Sequence, residues 1–275
     1  MDTKNLSIVI TTFRSEDKIY PCLESLPTGI RILVIENSND VNFKKSIESK
    51  HPNVECFLTG SNKGYSIANN FGLSKVNTKY ALVLNPDATL TQNAINNFLT
   101  SAKMEPDFWL IGPANNQNKK IVNNEIIEVN NLKGFAIFFN MIKFKNNFFD
   151  ENYFLYFEEI DLCKKVKSNG GKIFLDPNIK INHEGGGSVN KIFKEELEKN
   201  RNWHWMWSTF YYHKKYKGFY ISLLIILPKL ISSFFKTIFY FLILNKINRD
   251  IYYHRLSGII NSIMGKKSWY RPTLD

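Results

Sequence analysis

Two groups of carboxylates in this chain stand where they could do chemistry. The first is Asp87, in Asn85-Pro86-Asp87, directly after the apolar run from Tyr80 to Leu84. A short apolar run bounded by turn formers reads as a buried strand, and Pro86 cannot continue a central ladder. Asp87 then lies at the carboxyl end of a strand, the edge where open α/β sheets bind ligands. A hard divalent cation carrying a diphosphate would take such a carboxylate. Asn, Pro and Asp are equally the residues of an ordinary turn. The second group is Glu158, Glu159 and Asp161, set in the aromatic and apolar stretch from Phe154 to Cys163. Glu158 and Asp161 are three apart and share a helix face. Aromatic surroundings disfavour the charged form of a carboxyl and tune it as a general base. Acids also gather at the N-termini of solvated helices, where the macrodipole favours them. A third residue, His183, shortly precedes Gly185-Gly186-Gly187. A glycine run lets backbone approach a ligand closely, though a lone histidine is commonly structural.

The elements that must position these groups alternate. Strands are expected over 6–12, 31–35, 54–58, 80–84 and 108–111, and helices over about 15–25, 41–49, 65–76 and 91–103. That order implies a Rossmann-like, mostly parallel sheet with right-handed crossovers. Thr11-Thr12, Glu36-Asn37-Ser38 and Asn85-Pro86-Asp87 close successive strands and fall on one edge, which suits a nucleotide. Neither G-x-G-x-x-G nor a Walker A sequence occurs, so dinucleotide-dehydrogenase and P-loop readings have no support. Residues 115–147 are rich in Asn and Lys and read as loops and short strands, with 134–139 a further buried strand.

With 275 residues, 44% of them hydrophobic and 22% charged, the composition is globular and suits one large domain with an extension. Cys22, Cys56 and Cys163 form neither a metal spacing nor a disulfide framework, which fits a reducing compartment. The N-terminal apolar run is too short for a secretory signal. Charge is uneven: residues 189–275 hold 15 basic and 5 acidic side chains, against 21 and 20 in residues 1–188. The expected division is a catalytic domain over 1–188 and a basic, aromatic, helical extension over 189–275.

Trp203, Met206, Trp207 and Phe210 share one face of a helix in that extension, the spacing of core packing. The 26 residues of 219–244 include only two charges, Lys229 and Lys236, and could span a bilayer. Lysines at the centre of a span cost about 2.5–3.5 kcal/mol each. Lys229, Ser232, Ser233, Lys236, Thr237 and Tyr240 recur on one side, so an in-plane helix on an anionic membrane surface is expected, with Pro228 marking a break before it. A helix buried on the catalytic domain and a true span are the alternatives. Basic and aromatic residues also suit nucleic acid, but no RNA-binding signature is present and the charge is confined to the apolar tail, so no nucleic-acid partner is expected. A nucleotidyltransferase would carry a glycine-rich basic loop where Thr11-Thr12-Phe13 stands.

Six short motifs occur in a telling order: Ser7-Ile-Val-Ile-Thr-Thr-Phe13, Val34-Ile-Glu-Asn-Ser38, Asn62-Lys-Gly-Tyr65 with Asn69-Asn70, Leu84-Asn-Pro-Asp-Ala88, Tyr156-Phe-Glu-Glu-Ile-Asp-Leu-Cys163 and His183-Glu-Gly-Gly-Gly-Ser188. Through them the chain resembles the inverting glycosyltransferase family 2, with the GT-A fold, and in particular its bacterial rhamnosyltransferase-like members that build surface polysaccharides such as O-antigen and capsule. The resemblance implies roles. Asp87 would bind Mg²⁺ or Mn²⁺ on the donor diphosphate, with Asn85 in place of a first carboxylate and His183 as a further metal or phosphate ligand. Thr11, Thr12 and Phe13 would line the base pocket, Glu36 would reach the pyrimidine, and Lys63 would lie near base and diphosphate. Glu159 would be the catalytic base, within the cluster of Glu158 and Asp161. The donor would be a nucleotide sugar, dTDP-rhamnose or a UDP-hexose. The acceptor would be a lipid-linked oligosaccharide or polysaccharide, at the cytoplasmic face of the bacterial inner membrane. Glu36 and Glu159 stand where the family usually has Asp, and Lys165 where it has Arg. The alternative these departures imply is a catalytically weak or inactive member.

Overall fold

The computed structural model describes residues 3–114, 125–146, 148–183 and 194–272. The chain forms two compact units, Met1–Asp150 with Glu158–Val189, and Glu151–Phe157 with Asn190–Asp275. Segment 151–157, expected with the residues before and after it, packs with the second unit.

In the first unit, β1 (Leu6–Thr12), β2 (Arg31–Glu36), β3 (Val54–Leu58) and β4 (Tyr80–Leu84) are short and largely apolar, with β-branched residues concentrated in β1 and β2. Runs of this kind suit strands covered on both faces. They pair in parallel, β1 between β2 and β4 and β3 outside β2. Helices α1 (Glu16–Glu24), α2 (Val41–Lys50) and α3 (Gly64–Ser74) make the crossovers. Gly72 lets α3 sit close to the sheet, since a Cβ there would run into Val9 and Ile35. After β4 come the three-residue strand β5 (Ala88–Leu90), α4 (Ala94–Met104), β6 (Phe108–Pro113) and the short β7 (Ile127–Glu128). β8 (Ala136–Asn140) then inserts antiparallel between β4 and β6. Helix α5 (Glu158–Ser168) leads to β9 (Lys172–Asp176), parallel to β6, and to β10 (Ile181–His183). The main sheet runs β3-β2-β1-β4-β8-β6-β9-β7, and β10 pairs with β5 in a separate two-stranded ladder. Two apolar clusters cover the sheet, one around Ile8, Ile10, Leu82 and Phe138, the other around Val9, Leu33, Val83 and Phe139. The alternation of neighbouring residues between clusters follows from the two-residue period of a strand. All three cysteines are free and buried, and the Glu184–Ser188 glycine run lies outside the described residues.

The second unit is three helices, α6 (Lys194–Lys217), α7 (Phe219–Leu242) and α8 (Lys246–Ile263). Trp203, Met206, Trp207 and Phe210 are buried, and Met206 and Phe210 cluster with Ile226 and Ile259. Gly258 allows α8 to approach the Trp203 backbone, into which a Cβ would project. Helix α7 continues through Pro228, so the break expected there is absent. The proline removes one main-chain donor, and unbroken apolar turns on both sides carry the helix across that loss. Only Ser222, Ile226 and Ser233 of α7 are buried. Its polar side meets α8: Lys236 Nζ donates to Tyr252 Oη at 3.2 Å, and the Tyr240 and Tyr252 rings stack at 5.5 Å. The opposite side leaves Leu224, Phe235, Phe241 and Leu242 between 61% and 71% exposed.

Candidate active site

Asn85-Pro86-Asp87 does form a turn. It is the turn that presents the acid, for the Ala88 amide donates to the Asn85 carbonyl at 3.1 Å. β10 pairs with β5 so that His183 lies opposite Ala88. This register brings His183 Nε2 to 3.3 Å from Asp87 Oδ1 and 3.5 Å from Asn85 Nδ2. Asp87 is buried, while the His183 side chain keeps about a quarter of its surface open. Below the turn the Cys22 thiol faces the Asn85 carbonyl, and burial, with the Asp87 charge second, pushes its pKa up to about 12.

The acidic group opens α5. Glu158 is buried, and its Oε2 has no hydrogen-bond partner among the described residues. Burial first, and the neighbouring Glu159 charge second, hold its pKa well above the glutamate value. Glu159 is half-buried and also raised, chiefly by desolvation and against the lowering influence of its backbone amide and Lys133. It forms one wall of a pocket of about 250 Å³ with Pro113, Leu132, Lys133 and Leu175. Asp161, one turn further, is fully buried and is not part of that wall. Tyr65 adds a fourth acid, from α3: its pKa is well above the usual tyrosine value through burial and then the charges of Glu158 and Glu159.

Residues 133–135 join these two corners. A Cβ on Gly134 would rest 3.5 Å from the Glu159 side chain, and the Gly134 carbonyl accepts from Tyr65 Oη at 2.7 Å. The next residue, Phe135, accepts from the Asn85 amide at 2.9 Å and stacks its ring on His183 at 4.6 Å. Lys133, Gly134, Phe135 and Tyr65 were not singled out on sequence as site residues. A loop glycine between a lysine and a phenylalanine carries no local signal, because its role arises only when β8 docks beside β4.

The remaining candidates lie along the strand ends. Thr11 and Thr12 stand in register with Ile35 and Glu36. Thr11 Oγ1 is buried without a hydrogen-bond partner among the described residues. Phe13 begins the following loop, its amide donating to Ser15 Oγ. Glu36 is buried, and its carboxylate accepts from the amides of Ser38 at 2.8 Å and Asp40 at 2.7 Å, and from the Ser38 hydroxyl. It is therefore committed to its own loop, which leads into the Asp40 cap of α2. Asn37 fixes the neighbouring loop: its Oδ1 accepts from Thr59 Oγ1 and from the Lys63 amide, each at 2.9 Å, leaving the Lys63 side chain exposed at the start of α3. Lys165 turns to the Phe148 carbonyl.

Among the described residues no group of three or more His, Cys, Asp or Glu side chains is arranged to hold a metal ion. Asp87 with His183, and Asn85 beside them, is a two-ligand set in which the carboxylate is buried and the imidazole partly exposed. Such a set fits Mg²⁺ or Mn²⁺, which take one or two protein ligands and fill the other positions with phosphate oxygens and water.

Several known proteins resemble the chain. A Haloferax volcanii protein, the low-salt glycan biosynthesis hexosyltransferase Agl10, is 25% identical over 198 residues. That match covers 59% of this chain and 62% of the Haloferax protein's length. A mannosyltransferase from Pyrobaculum calidifontis, solved with GDP-Man and Mn²⁺, superposes with a TM-score of 0.60 at 9% identity, covering 96% of this chain and 88% of that one. GalNAc-T7, solved with UDP, GalNAc and Mn²⁺, gives 0.55 at 13% identity over 76% of this chain and 50% of that one. At those identities the two structures speak for the GT-A fold alone. The profile of Glycosyl transferase family 2 matches residues 7–162, more than half of the chain, and the protein belongs to that family.

Proposed function

We propose that this protein is a metal-dependent inverting glycosyltransferase that moves a hexosyl or rhamnosyl group from a nucleoside diphosphate donor to a lipid-linked or polysaccharide acceptor in surface-glycan synthesis. The observation that carries the reading is the placement of Gly134 and Phe135 against both corners, Glu159 on one side and Asn85 with His183 on the other. A base for the acceptor and a clamp for the leaving group thus share one support.

The donor nucleotide would lie along the ends of β1 and β2, with Thr11, Thr12 and Phe13 on the base side. Glu36 shapes that side by holding the 37–40 loop, and Lys63 stands at its border. Asp87 and His183, helped by Asn85, would hold the divalent ion, which when bound supplies positive charge to the departing diphosphate. The acceptor hydroxyl occupies the pocket beside Glu159. Glu159 takes its proton as the oxygen attacks the anomeric carbon from the face opposite the diphosphate, so one displacement inverts that centre. Burial, with the Glu159 charge second, raises the Glu158 carboxyl, so of the pair Glu159, which lines the pocket, is the one assigned as the base. Asp161 supports α5 from within.

The membrane assignment rests on α7. An apolar side left bare over a 24-residue helix of mean hydropathy 1.7, with Lys236 and Tyr240 on the other side meeting α8, suits acyl chains. We place the enzyme as a monotopic protein on the cytoplasmic face, where a lipid-linked acceptor is at hand. Donor screening tests the reading. Purified protein with Mn²⁺, a panel of nucleotide sugars and a membrane lipid extract should consume one donor, and Asp87→Ala or Glu159→Gln should abolish that consumption. No consumption by the wild type, or equal rates in the variants, would refute it.

A further inference from the structure

Tyr65 and Asn70 lie on the first two turns of α3 and tie that helix to two other parts of the sheet unit. Asn70 holds the Phe149 main chain on both sides. Its Nδ2 donates to the Phe149 carbonyl and its Oδ1 accepts from the Phe149 amide, each at 2.9 Å. The Phe149 ring in turn meets the Tyr65 ring edge-on at 5.7 Å. The Tyr65 main chain is tied as well, its carbonyl accepting from Asn69 Nδ2 at 3.0 Å. From this fixed ring the Tyr65 hydroxyl donates to the Gly134 carbonyl at 2.7 Å.

Gly134 and Phe135 form the turn that enters β8. Hydrogen bonds to both of their carbonyls hold it, one from Tyr65 and one from the Asn85 amide at 2.9 Å. The Asn85 bond continues the β4–β8 ladder, in which Leu84 stands opposite Ala136. Packing alone would not select a phenol for this position. The Tyr65 ring packs against an apolar cluster that includes Leu73 and Phe139, which a phenylalanine would serve equally. A buried hydroxyl costs free energy unless it makes its hydrogen bond. Burial, then the charges of Glu158 and Glu159, hold the phenol well above the usual tyrosine range, so it keeps its proton and stays a donor. That donor goes to the main chain of the turn, while Glu158 Oε2 has no partner among the described residues.

We propose that Tyr65 is a positioning residue: through its hydrogen bond to the Gly134 carbonyl it fixes the turn that backs Glu159 on one side and seats His183 on the other. This rests on the proposed roles of Glu159 as the base and of Asp87 with His183 as the metal site. A Cβ on Gly134 would lie 3.5 Å from the Glu159 side chain, and the Phe135 ring stacks on His183 at 4.6 Å. Because the two residues are consecutive, one hydroxyl holds the spacing between groups that act on the same displacement.

The test uses full-length protein with Tyr65→Phe, which keeps the ring and removes the hydroxyl. Ser7→Ala is the control. It also removes a buried hydroxyl, one that bonds Thr78 Oγ1 at 2.9 Å near the start of β1. In Tyr65→Phe the turn should loosen and amide exchange at Asn85, whose acceptor is the Phe135 carbonyl, should speed. Turnover number should fall about 10²-fold, as a misplacement of roughly 1 Å does. The Mn²⁺ concentration giving half the maximal rate should rise, because the seat of His183 moves with the turn. Ser7→Ala should lower Tm while leaving Asn85 exchange, turnover and the Mn²⁺ dependence as in the wild type. Unchanged Asn85 exchange in Tyr65→Phe, or a turnover loss that merely tracks Tm in both variants, would overturn the proposal. If the wild type consumes no donor, the transferase reading fails, and Asn85 exchange still decides whether Tyr65 holds the turn.

Discussion

β4 and α7 carry the same class of side chain and dispose of it in opposite ways. β4 is Tyr-Ala-Leu-Val-Leu and α7 is largely Leu, Ile and Phe. In β4 every residue after Tyr80 is buried, and the strand ends in a polar turn that presents Asp87. In α7 the serines at 222 and 233 are buried while Phe235 and Phe241 are more than 60% exposed. The first arrangement is that of a water-soluble core. The second leaves large apolar side chains of α7 uncovered among the described residues, the arrangement on which the proposed membrane contact rests. The proposed chemistry is thus placed where apolar residues are hidden, and the proposed surface attachment where they are shown.

This contrast can be broken at several points. The largest effect is expected at the base. Glu159→Gln should lower turnover by about 10²–10⁴-fold, the range for a general base, while leaving liposome flotation as in the wild type; a parallel loss of flotation would mean that the two regions are not separable in function. Next comes the buried side of the comparison. Phe138, fully buried against Phe98 with ring centroids 5.1 Å apart, should cost about 3–5 kcal/mol on truncation to Ala in chemical denaturation. Third is pH. Glu158 is raised in the folded protein above the 4.5 of an ordinary glutamate, so the folded state binds more protons and stability falls as pH climbs above that value. Glu158→Gln should flatten that fall, and denaturation midpoints at pH 5 and pH 8 measure it; an unchanged slope would remove Glu158 as its source. The smallest effect on stability is expected on the shown side. Phe235→Ala should lie within about 0.5 kcal/mol of the wild type, as substitutions away from buried features do, yet weaken flotation, and Leu224→Glu with Phe235→Glu should abolish it. A destabilisation at Phe235 as large as at Phe138 would mean that the bare side of α7 is covered by protein.

The strands β1 to β4 and the three crossover helices were legible because each carries a local period or a run of β-branched residues long enough to read. The Asn-Pro-Asp turn and the acidic pair before Cys163 were legible for the same reason, since residue type and spacing are local. β10 was not, because three residues give no period, and only its pairing with β5 brings His183 to Asp87. α7 was expected to start after a break at Pro228; one missing hydrogen bond cannot interrupt a helix whose remaining turns are intact.

Local pattern and motif order were thus sufficient for the mostly parallel sheet and the family. Three things were decided only by tertiary structure. β8 docks antiparallel beside β4, which sets Gly134 and Phe135 against both corners of the site. Lys236 and Tyr240 of α7 meet Tyr252 of α8. Segment 151–157 is clamped on α6, although it lies just before α5 in the chain. Each depends on contacts between residues far apart in sequence, whose free energy exists only once the partner surface has formed, so no window along the chain contains it.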